Sequence, residues 1–309
     1  MYLAHVIKDQ ISDIVDIRTE NITETRTMEL IAKTKKNGGI LLLWTLDNIE
    51  NYIEKIDKAI GDYDRYIIVC TAKHTHPHCF ASLDILQQMK ERTKIPTVIH
   101  TFPKKFDFLF LPGKDQIWRL QLIKELMDSK LLDNSLWSLY KDHDAIFPAM
   151  QKLLPADYEV EESKNKRFDP YAYSQIIVKT QYESTFFSLV TETGNNITAI
   201  NNSICHITEK TFKPLLAEHP FIIQSGQGHL EFLRSMGLKT FDGILDESYE
   251  NNNKKIVDTC KHVLSLNQKD FYSQTEQIRK HNRRLLMEDS FILNFHMMQL
   301  QKIKSCLKL

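Results

Sequence analysis

The sequence has no long apolar run and no excess of either charge. Its apolar runs, such as Ile40–Trp44, fall far short of the roughly 20 residues that a membrane helix needs, so we expect no membrane span. The N-terminal residues hold no sustained apolar core, so we also expect no signal peptide. A formal net charge of zero gives no global attraction to nucleic acid or to an anionic membrane.

Cysteine and glycine are both scarce. The five cysteines include no Cys-x-x-Cys pair and are odd in number, which indicates a reduced compartment and predicts a cytoplasmic protein. Five of the nine glycines fall between 194 and 243. In that region we expect the backbone to turn tightly or to approach a ligand closely.

Apolar runs alternate with helical patterns, which is typical of an α/β chain. The runs are short, continuous and β-branched, as in parallel strands that are covered on both faces. A chain of 309 residues is long enough for two domains of roughly 150 residues. We place the boundary near 103, between an N-terminal domain 1–103 and a C-terminal domain 104–309.

Each domain is predicted to be Rossmann-like, with a parallel sheet and a shared cleft at the carboxyl ends of the strands. The charged stretch 141–170 contains three prolines and is interpreted as irregular. From about 252 the pattern is helical, and the last helix is long enough to cross back over the first domain. The predicted strands are 39–45, 65–71, 96–101, 106–111, 174–179, 185–191 and 220–224, and the predicted helices are 47–60, 80–92, 115–129, 208–218, 228–236 and 288–307.

The residues most suited to chemistry are Glu209 and Lys210, at the predicted start of a helix. Thr208 is a plausible N-cap, and Pro214 cannot donate to the carbonyl of Lys210, so the helix should be short or kinked. A carboxylate can accept from two ribose hydroxyls, and an ammonium beside a helix N-terminus suits phosphate oxygens. The alternative is an ordinary solvated helix start.

Glu192 and Arg119 are two further candidates. Glu192 ends the apolar strand 185–191, where it can contact a ligand or, alternatively, cap nearby backbone N–H groups. Arg119 lies early in the helix that follows strand 106–111. A guanidinium there can bridge two phosphate oxygens, but it can also form a surface pair with Asp115.

The segment 74–79 contains three histidines and a cysteine, which raises the question of a metal site. No accompanying ligand motif is present, so we predict no metal and expect the segment to line the cleft. Asp47 and Glu50 follow strand 39–45 in a similar position. The basic stretch 279–284 is interpreted as a solvated helix face.

In order along the chain, Arg119, Glu192, Thr208-Glu209-Lys210 and the apolar strand after Pro220 resemble the donor-binding half of the α1,3-fucosyltransferase family. Those enzymes have the two-domain GT-B glycosyltransferase fold. The runs 208–214 and 237–241 are also similar to glycosyltransferase-like proteins of phages, large viruses and bacteria. The resemblance covers roughly 104–285, with a gap at 139–170.

By position, the resemblance implies that Glu209 holds the donor ribose and that Lys210 and Arg119 face the diphosphate. It also implies that Glu192 lines the sugar or nucleotide pocket. His206 stands where the fucosyltransferases have a tyrosine, and Thr193-Gly194 replaces their Asn-Ser. These departures leave the identity of the sugar and the base open.

We therefore expect a metal-independent, inverting glycosyltransferase that moves a hexosyl or fucosyl group from a GDP- or UDP-linked sugar, without another cofactor. The acceptor stays open between a glycan, a small molecule, a protein and a modified DNA base. Two alternatives are a phage-type DNA-base glycosyltransferase and a non-catalytic sensor that binds a nucleotide sugar. The candidates for the catalytic base in the first domain are Asp47, Glu50, His74 and His76.

Overall fold

The computed structural model describes residues 2–44, 50–73, 76–114, 116–140, 175–192, 205–249 and 252–309. Within these ranges, each half of the chain contains one four-stranded parallel sheet with helices packed on it. This confirms the predicted α/β organisation. The irregular stretch predicted at 141–170 lies outside the described residues.

The first half is built on a sheet with the strand order β1-β2-β3-β5. Apolar side chains alternate between its two faces, and helices cover both faces. All five residues of β3 are therefore buried. The elements are α1 (Leu3–Gln10), β1 (Ile14–Arg18), α2 (Thr25–Lys36), β2 (Ile40–Trp44), α3 (Glu50–Ile60), β3 (Tyr66–Cys70), β4 (Ala72–Lys73), β5 (Cys79–Ala81) and α4 (Asp84–Arg92).

The second half is built on a sheet with the strand order β10-β8-β6-β7. Strand β8 lies between two neighbours, and all seven of its residues are buried. The strands are β6 (Phe106–Lys114), β7 (Leu136–Tyr140), β8 (Thr185–Thr191), the two-residue β9 (Cys205–His206) and β10 (Phe221–Gln224). The helices are α5 (Ile117–Asp128), α6 (Lys179–Ser184), α7 (Glu209–Leu216), α8 (His229–Ser235), α9 (Asn253–Ser265), α10 (Gln268–Met287) and α11 (Asp289–Cys306).

A short strand ladder and the C-terminal helix are among the features that join the halves. Strand β9 pairs antiparallel with β4, with Ala72 opposite His206, and the Ile207 N–H donates to the Thr71 carbonyl at 3.0 Å. This two-residue ladder lies immediately before α7. It ties the start of that helix to the end of β3 in the first half.

The second feature is the long C-terminal helix α11. Its residues Leu300 and Ile303 are buried in the same apolar cluster as Leu3 and Ile7 of α1. The side chain of His296 accepts from the backbone N–H of Leu83 at 3.1 Å. The last helix therefore packs against the first half.

The strand predicted at 96–101 is wrong. Pro96 has no N–H to donate, and the side chain of Ile99 is 59% exposed. The N–H of Ile99 donates to the carboxylate of Glu183 at 3.1 Å instead of to a neighbouring strand. This segment therefore runs over the surface of the second half.

The strand predicted at 174–179 is also wrong over its described part. Residues 176–178 belong to no strand in the described structure; Ile177 is buried, but Ile176 and Val178 are exposed. Helix α6 begins at Lys179. The basic stretch 279–284 needs a further correction, because Arg279 is 7% exposed and Asn282 is 1% exposed. Their side chains contact backbone groups of other segments, which a solvated face does not allow.

The predicted boundary near 103 lies between α4 and β6. The strands of the two four-stranded sheets fall on opposite sides of it. Leu86 and Met89 of α4, however, belong to the apolar core of the second half. The division into 1–103 and 104–309 stays a prediction.

Candidate functional site

The carboxyl edge of the second sheet brings together most of the residues singled out in the sequence. Arg119 lies in the first turn of α5, which follows β6. Glu192 directly follows β8, and Thr208 directly precedes α7. Since parallel strands end at one edge, the topology gathers side chains that are far apart in the sequence.

Glu192 is the centre of this group. The residue is 1% exposed. Its Oε1 accepts from the Thr208 N–H at 2.9 Å and from Thr211 Oγ1 at 2.6 Å, and its Oε2 accepts from Thr208 Oγ1 at 2.7 Å. The carboxylate thus anchors the first turn of α7 to the end of β8. This is the capping arrangement weighed above, and a contact between Glu192 and a ligand stays a prediction.

The protonation of Glu192 follows from the same contacts. Burial by itself raises the pKa of this carboxyl group. The electrostatic effect of Lys210 and His229 lowers it, as do the hydrogen bonds from Thr211 and Thr208, and the pKa lies below its usual value. Glu192 is therefore a buried carboxylate that stays ionised at neutral pH.

Helix α7 begins as the sequence predicted. The backbone of Thr208 is extended, and its hydroxyl accepts from the Lys210 N–H at 3.3 Å. The helix is eight residues long and contains Pro214. The short helix and its cap are both confirmed.

Glu209 and Lys210 form an ion pair at this capped start. The Nζ of Lys210 lies 2.9 Å from Oε1 of Glu209, and the two side chains are 21% and 15% exposed, respectively. The pair is partly open to solvent and is not locked in a dry core. Because α7 follows the β4–β9 ladder, the pair also lies beside the junction of the two halves.

The sequence reasoning missed Lys213, which follows Glu209 by one helical turn. The side chain is partly buried. Burial lowers its pKa to about 8, Glu209 opposes this shift, and Lys210 adds to it. The spacing of four residues between Glu209 and Lys213 was the available signal, because side chains at this spacing share a helix face.

Arg119 faces the backbone at the end of β8. The residue is 3% exposed. Its Nη2 donates to the carbonyls of Thr191 at 3.4 Å and Glu192 at 3.3 Å. Asp115, its alternative surface partner, lies outside the described residues. A role for Arg119 at a diphosphate stays a prediction.

Two buried histidines flank the group. His206 is 2% exposed. It belongs to β9, whose backbone forms the ladder between the halves. His229, which the sequence did not single out, is the first residue of α8 and is 0% exposed. Its Nε2 lies 3.5 Å from Thr211 Oγ1. Burial lowers the pKa of His229 to about 4 against the opposing effect of Glu192.

Of the candidates for the catalytic base, His76 is not brought to this group. The Nε2 of His76 lies 3.3 Å from the Tyr66 hydroxyl and 3.7 Å from the carboxylate of Asp57. Tyr66 begins β3, so His76 lies at the amino edge of the first sheet. Asp47 and His74 lie outside the described residues. Glu50 is the first residue of α3.

Within the described ranges, no group of three or more His, Cys, Asp or Glu side chains is arranged to hold a metal ion. Over the same ranges, no helix has the length and apolar character needed to cross a membrane.

Comparisons with known proteins give a likeness of fold. No protein-family model matches the sequence, and no curated protein matches it significantly. Among solved structures, the chain is similar to TarM at 10% identity and a TM-score of 0.49, over 96% of this chain and 57% of TarM. It is also similar to the UDP complex of MnaA from S. aureus, at 11% identity and a TM-score of 0.44, over 95% of this chain and 79% of MnaA.

A third similar structure is AviGT4, a glycosyltransferase involved in avilamycin A biosynthesis. The identity is 12% and the TM-score 0.36, over 93% of this chain and 90% of AviGT4. The chain thus spans just over half of TarM and most of the other two. Two halves that each contain a parallel sheet, together with a long C-terminal helix, confirm the predicted α/β architecture of two Rossmann-like halves.

Proposed function

We propose that this protein is a glycosyltransferase that uses a nucleotide-diphosphate sugar as its donor. The observation that carries the proposal is the Glu209–Lys210 pair at the capped start of α7. The pair is partly open to solvent and lies beside the junction of the two halves. The order of Arg119, Glu192 and the Thr208-Glu209-Lys210 run, which resembles the fucosyltransferases, supports the same reading.

The chemistry of the pair suits an activated sugar. The carboxylate of Glu209 accepts from two neighbouring ribose hydroxyls, and each charged hydrogen bond contributes roughly 1.5–3 kcal/mol. The ammonium of Lys210 neutralises the diphosphate that leaves when the glycosidic bond forms. The positive end of α7 adds to this stabilisation because the first-turn N–H groups point the same way.

In this proposal, Glu192 and Arg119 hold in place the helix start that carries the pair. Glu192 fixes the first turn of α7 through its three hydrogen bonds, and Arg119 holds the backbone that carries Glu192. A preorganised donor of this kind needs no rearrangement when charge develops, and losing one such donor costs on the order of 3–4 kcal/mol of transition-state stabilisation. Lys210 is the residue to which we assign that effect.

The acceptor reaches the donor from the first half. Inverting transfer needs a base that takes the acceptor proton at hydrogen-bond distance. Asp47 and His74 are the better candidates, because in the sequence they follow the carboxyl ends of β2 and of the β3–β4 segment. His76 is the weaker candidate, since it lies at the opposite edge of the first sheet.

A thermal-shift panel of nucleotide sugars and free nucleotides tests the proposal. We expect GDP or UDP at about 100 times its dissociation constant to stabilise the fold by about 2.7 kcal/mol, which is a melting shift of several degrees. Lys210→Met should remove most of the shift and leave the unliganded melting temperature nearly unchanged. The matched control Lys254→Met changes an exposed lysine of α9 and should keep the full shift.

Slow hydrolysis of the stabilising nucleotide sugar then separates an enzyme from a sensor. We expect the wild type to hydrolyse the donor and Lys210→Met to lose that activity by roughly a hundredfold or more. A protein that binds the nucleotide sugar without any turnover is a sensor. If no nucleotide or nucleotide sugar shifts the melting temperature, the proposal is wrong.

A further inference from the structure

We propose that Lys213 is a second phosphate-binding cation of this site, so that the anion bound beside α7 is a diphosphate and not a monophosphate. The inference rests on the proposed function. It adds to that function a residue that neither the sequence motif nor the family resemblance assigns, together with the charge of the ligand.

The first observation is the charge at the start of α7. Glu209 and Lys210 are paired with each other at 2.9 Å, so together they carry no net charge. Lys213 lies one turn further along the helix, on the face that carries Glu209. With the buried carboxylate of Glu192, which lies near Lys210, the charges at the start of α7 balance. The Lys213 ammonium nevertheless lies one turn away from the Glu209–Lys210 pair, where it can reach a second phosphoryl group.

The second observation is that Lys213 has no direct partner in the part of the chain that the structure describes. Its ammonium makes no hydrogen bond or ion pair with any residue of those ranges, although the side chain is partly buried. Removing a charge from water without a partner costs free energy, so such groups are normally paired. An arriving phosphate oxygen supplies that partner.

Lys104 shows what a structural lysine looks like in this protein. Burial lowers its pKa to about 8, as it does for Lys213. Lys104, however, donates to the carbonyl of Glu183 at 2.8 Å and packs over the ring of Tyr272. The two lysines are desolvated alike, but only one of them has its acceptor within the described residues.

Calorimetry with inorganic pyrophosphate and inorganic phosphate as probes tests the assignment. We expect Lys213→Met to weaken pyrophosphate binding by roughly ten- to a hundredfold, because it removes one charged hydrogen bond. Phosphate binding should change much less, since Lys210 alone suffices for one phosphoryl group. Lys213→Arg should retain most of the pyrophosphate affinity, and the control Lys254→Met all of it.

Proton uptake gives a readout that a merely structural lysine does not produce. At about pH 8.5 part of the Lys213 population is neutral in the free protein, and an anionic ligand restores the proton. Titrations of GDP and UDP in buffers of different ionisation enthalpy should show uptake for the wild type. The uptake should vanish in Lys213→Arg and Lys213→Met, because neither side chain titrates near that pH.

The outcomes separate this inference from the proposed function. If Lys213→Met binds pyrophosphate like the wild type while Lys210→Met does not, the inference is wrong and the proposed function stands. If the wild type binds neither pyrophosphate nor GDP nor UDP, both fail. We also expect unliganded Lys213→Met to melt at or above the wild-type temperature; a large decrease, or proton uptake that persists in Lys213→Arg, overturns the inference.

Discussion

The two edges of the second sheet both carry buried or half-buried cations, and the cations meet different partners. At the amino edge, Lys104 donates to the carbonyl of Glu183, and Arg279 donates to the carbonyls of Glu218 and Tyr272. The carbonyls of Glu183 and Glu218 lie where helices end, so there the cations replace missing backbone donors, whereas Tyr272 lies within α10. Such cations are bound by acceptors of the fold itself and are not available to a ligand.

At the carboxyl edge, Arg119 also donates to backbone carbonyls, but the two lysines there differ: Lys210 meets a carboxylate, and Lys213 has no direct partner within the described residues. Lys210 contacts Glu209 through side chains that remain partly exposed, and Lys213 lies beside them. The comparison teaches that burial of a basic group does not by itself indicate a binding site. The identity of its acceptor distinguishes a structural cation from one that is ready for an anion.

Of the variants that test this comparison, Arg279→Met, which removes a structural cation of the amino edge, should have the largest effect. The guanidinium donates to Tyr272, Glu218 and Thr275 and lies 4.4 Å from the centre of the Tyr272 ring. Its loss leaves buried carbonyls without donors, so we expect unfolding free energy to fall by roughly 3–5 kcal/mol. Urea denaturation measures the change.

Arg284→Met is the matched control on the same helix, because Arg284 is exposed. We expect its effect to stay within about 0.5 kcal/mol. Nucleotide binding by the folded fraction of Arg279→Met should remain normal. Equal stability of the two variants would show that the amino edge is not the structural cluster described above.

The two edges can also be compared through the loss of stability in acid, because each edge contains a buried histidine. Burial lowers the pKa of His229 from 6.5 to about 4 and that of His219 well below 6.5. Both are therefore neutral in the folded state and bind protons more readily when unfolded. Their contribution to stability is complete above pH 6.5 and is lost as the pH falls toward the folded pKa values, by up to about 3 kcal/mol for His229.

Denaturation curves between pH 7 and 4 measure this loss. We expect His229→Asn to flatten the part of the profile that belongs to the carboxyl edge while the His219 part remains. The stabilising effect of Glu192 is lost only below about pH 5, because its folded pKa lies below the usual value of 4.5, so the profile between pH 7 and 5 reports on the histidines. A wild-type profile that is flat down to pH 4 would contradict the burial of both imidazoles as neutral groups.

Glu192→Gln has the smallest expected effect. The amide keeps the shape of the side chain and one acceptor oxygen, but it loses the charge near Lys210 and the second acceptor. We expect a loss of roughly 1–3 kcal/mol in unfolding free energy, measured by urea denaturation. The exposed Glu231→Gln on α8 is the control. A loss of nucleotide binding without a loss of stability would show that Glu192 contacts the ligand directly.

The parts of the fold that the sequence predicted correctly have strong local signals. The apolar run of β8 and the run after Pro220 become buried strands, and Thr208 caps a short helix that contains Pro214. The amphipathic pattern after 252 becomes three helices. In these segments the local pattern and the tertiary environment agree, so the pattern is sufficient.

The parts that were missed depend on contacts between distant segments. Strand β1 lies at the edge of its sheet, and its residues form no continuous apolar run. The segment 96–101 has the apolar content of a strand but packs over the surface beside Glu183. The apolar pattern of one segment does not predict which distant segment will pack beside it.

The candidate site divides in the same way. The sequence located Thr208, Glu209 and Lys210 because they are adjacent and follow a capping rule. It gave Glu192 two possible roles, and only the three hydrogen bonds to α7 show which of them the unliganded fold uses. Lys213 and His229 matter through burial, which depends on helices that arrive from other parts of the chain.

The two-residue ladder between β4 and β9 has a mechanical consequence. A rotation of one half against the other must either break the pairing of Ala72 with His206 or carry the cap residue Thr208 along with the first half. If the pairing breaks, the contact between the halves beside the charged pair is lost; if Thr208 moves with the first half, the charged pair moves relative to Glu192. Binding at the start of α7 and the closure of the two halves are therefore thermodynamically coupled, and each must report on the other.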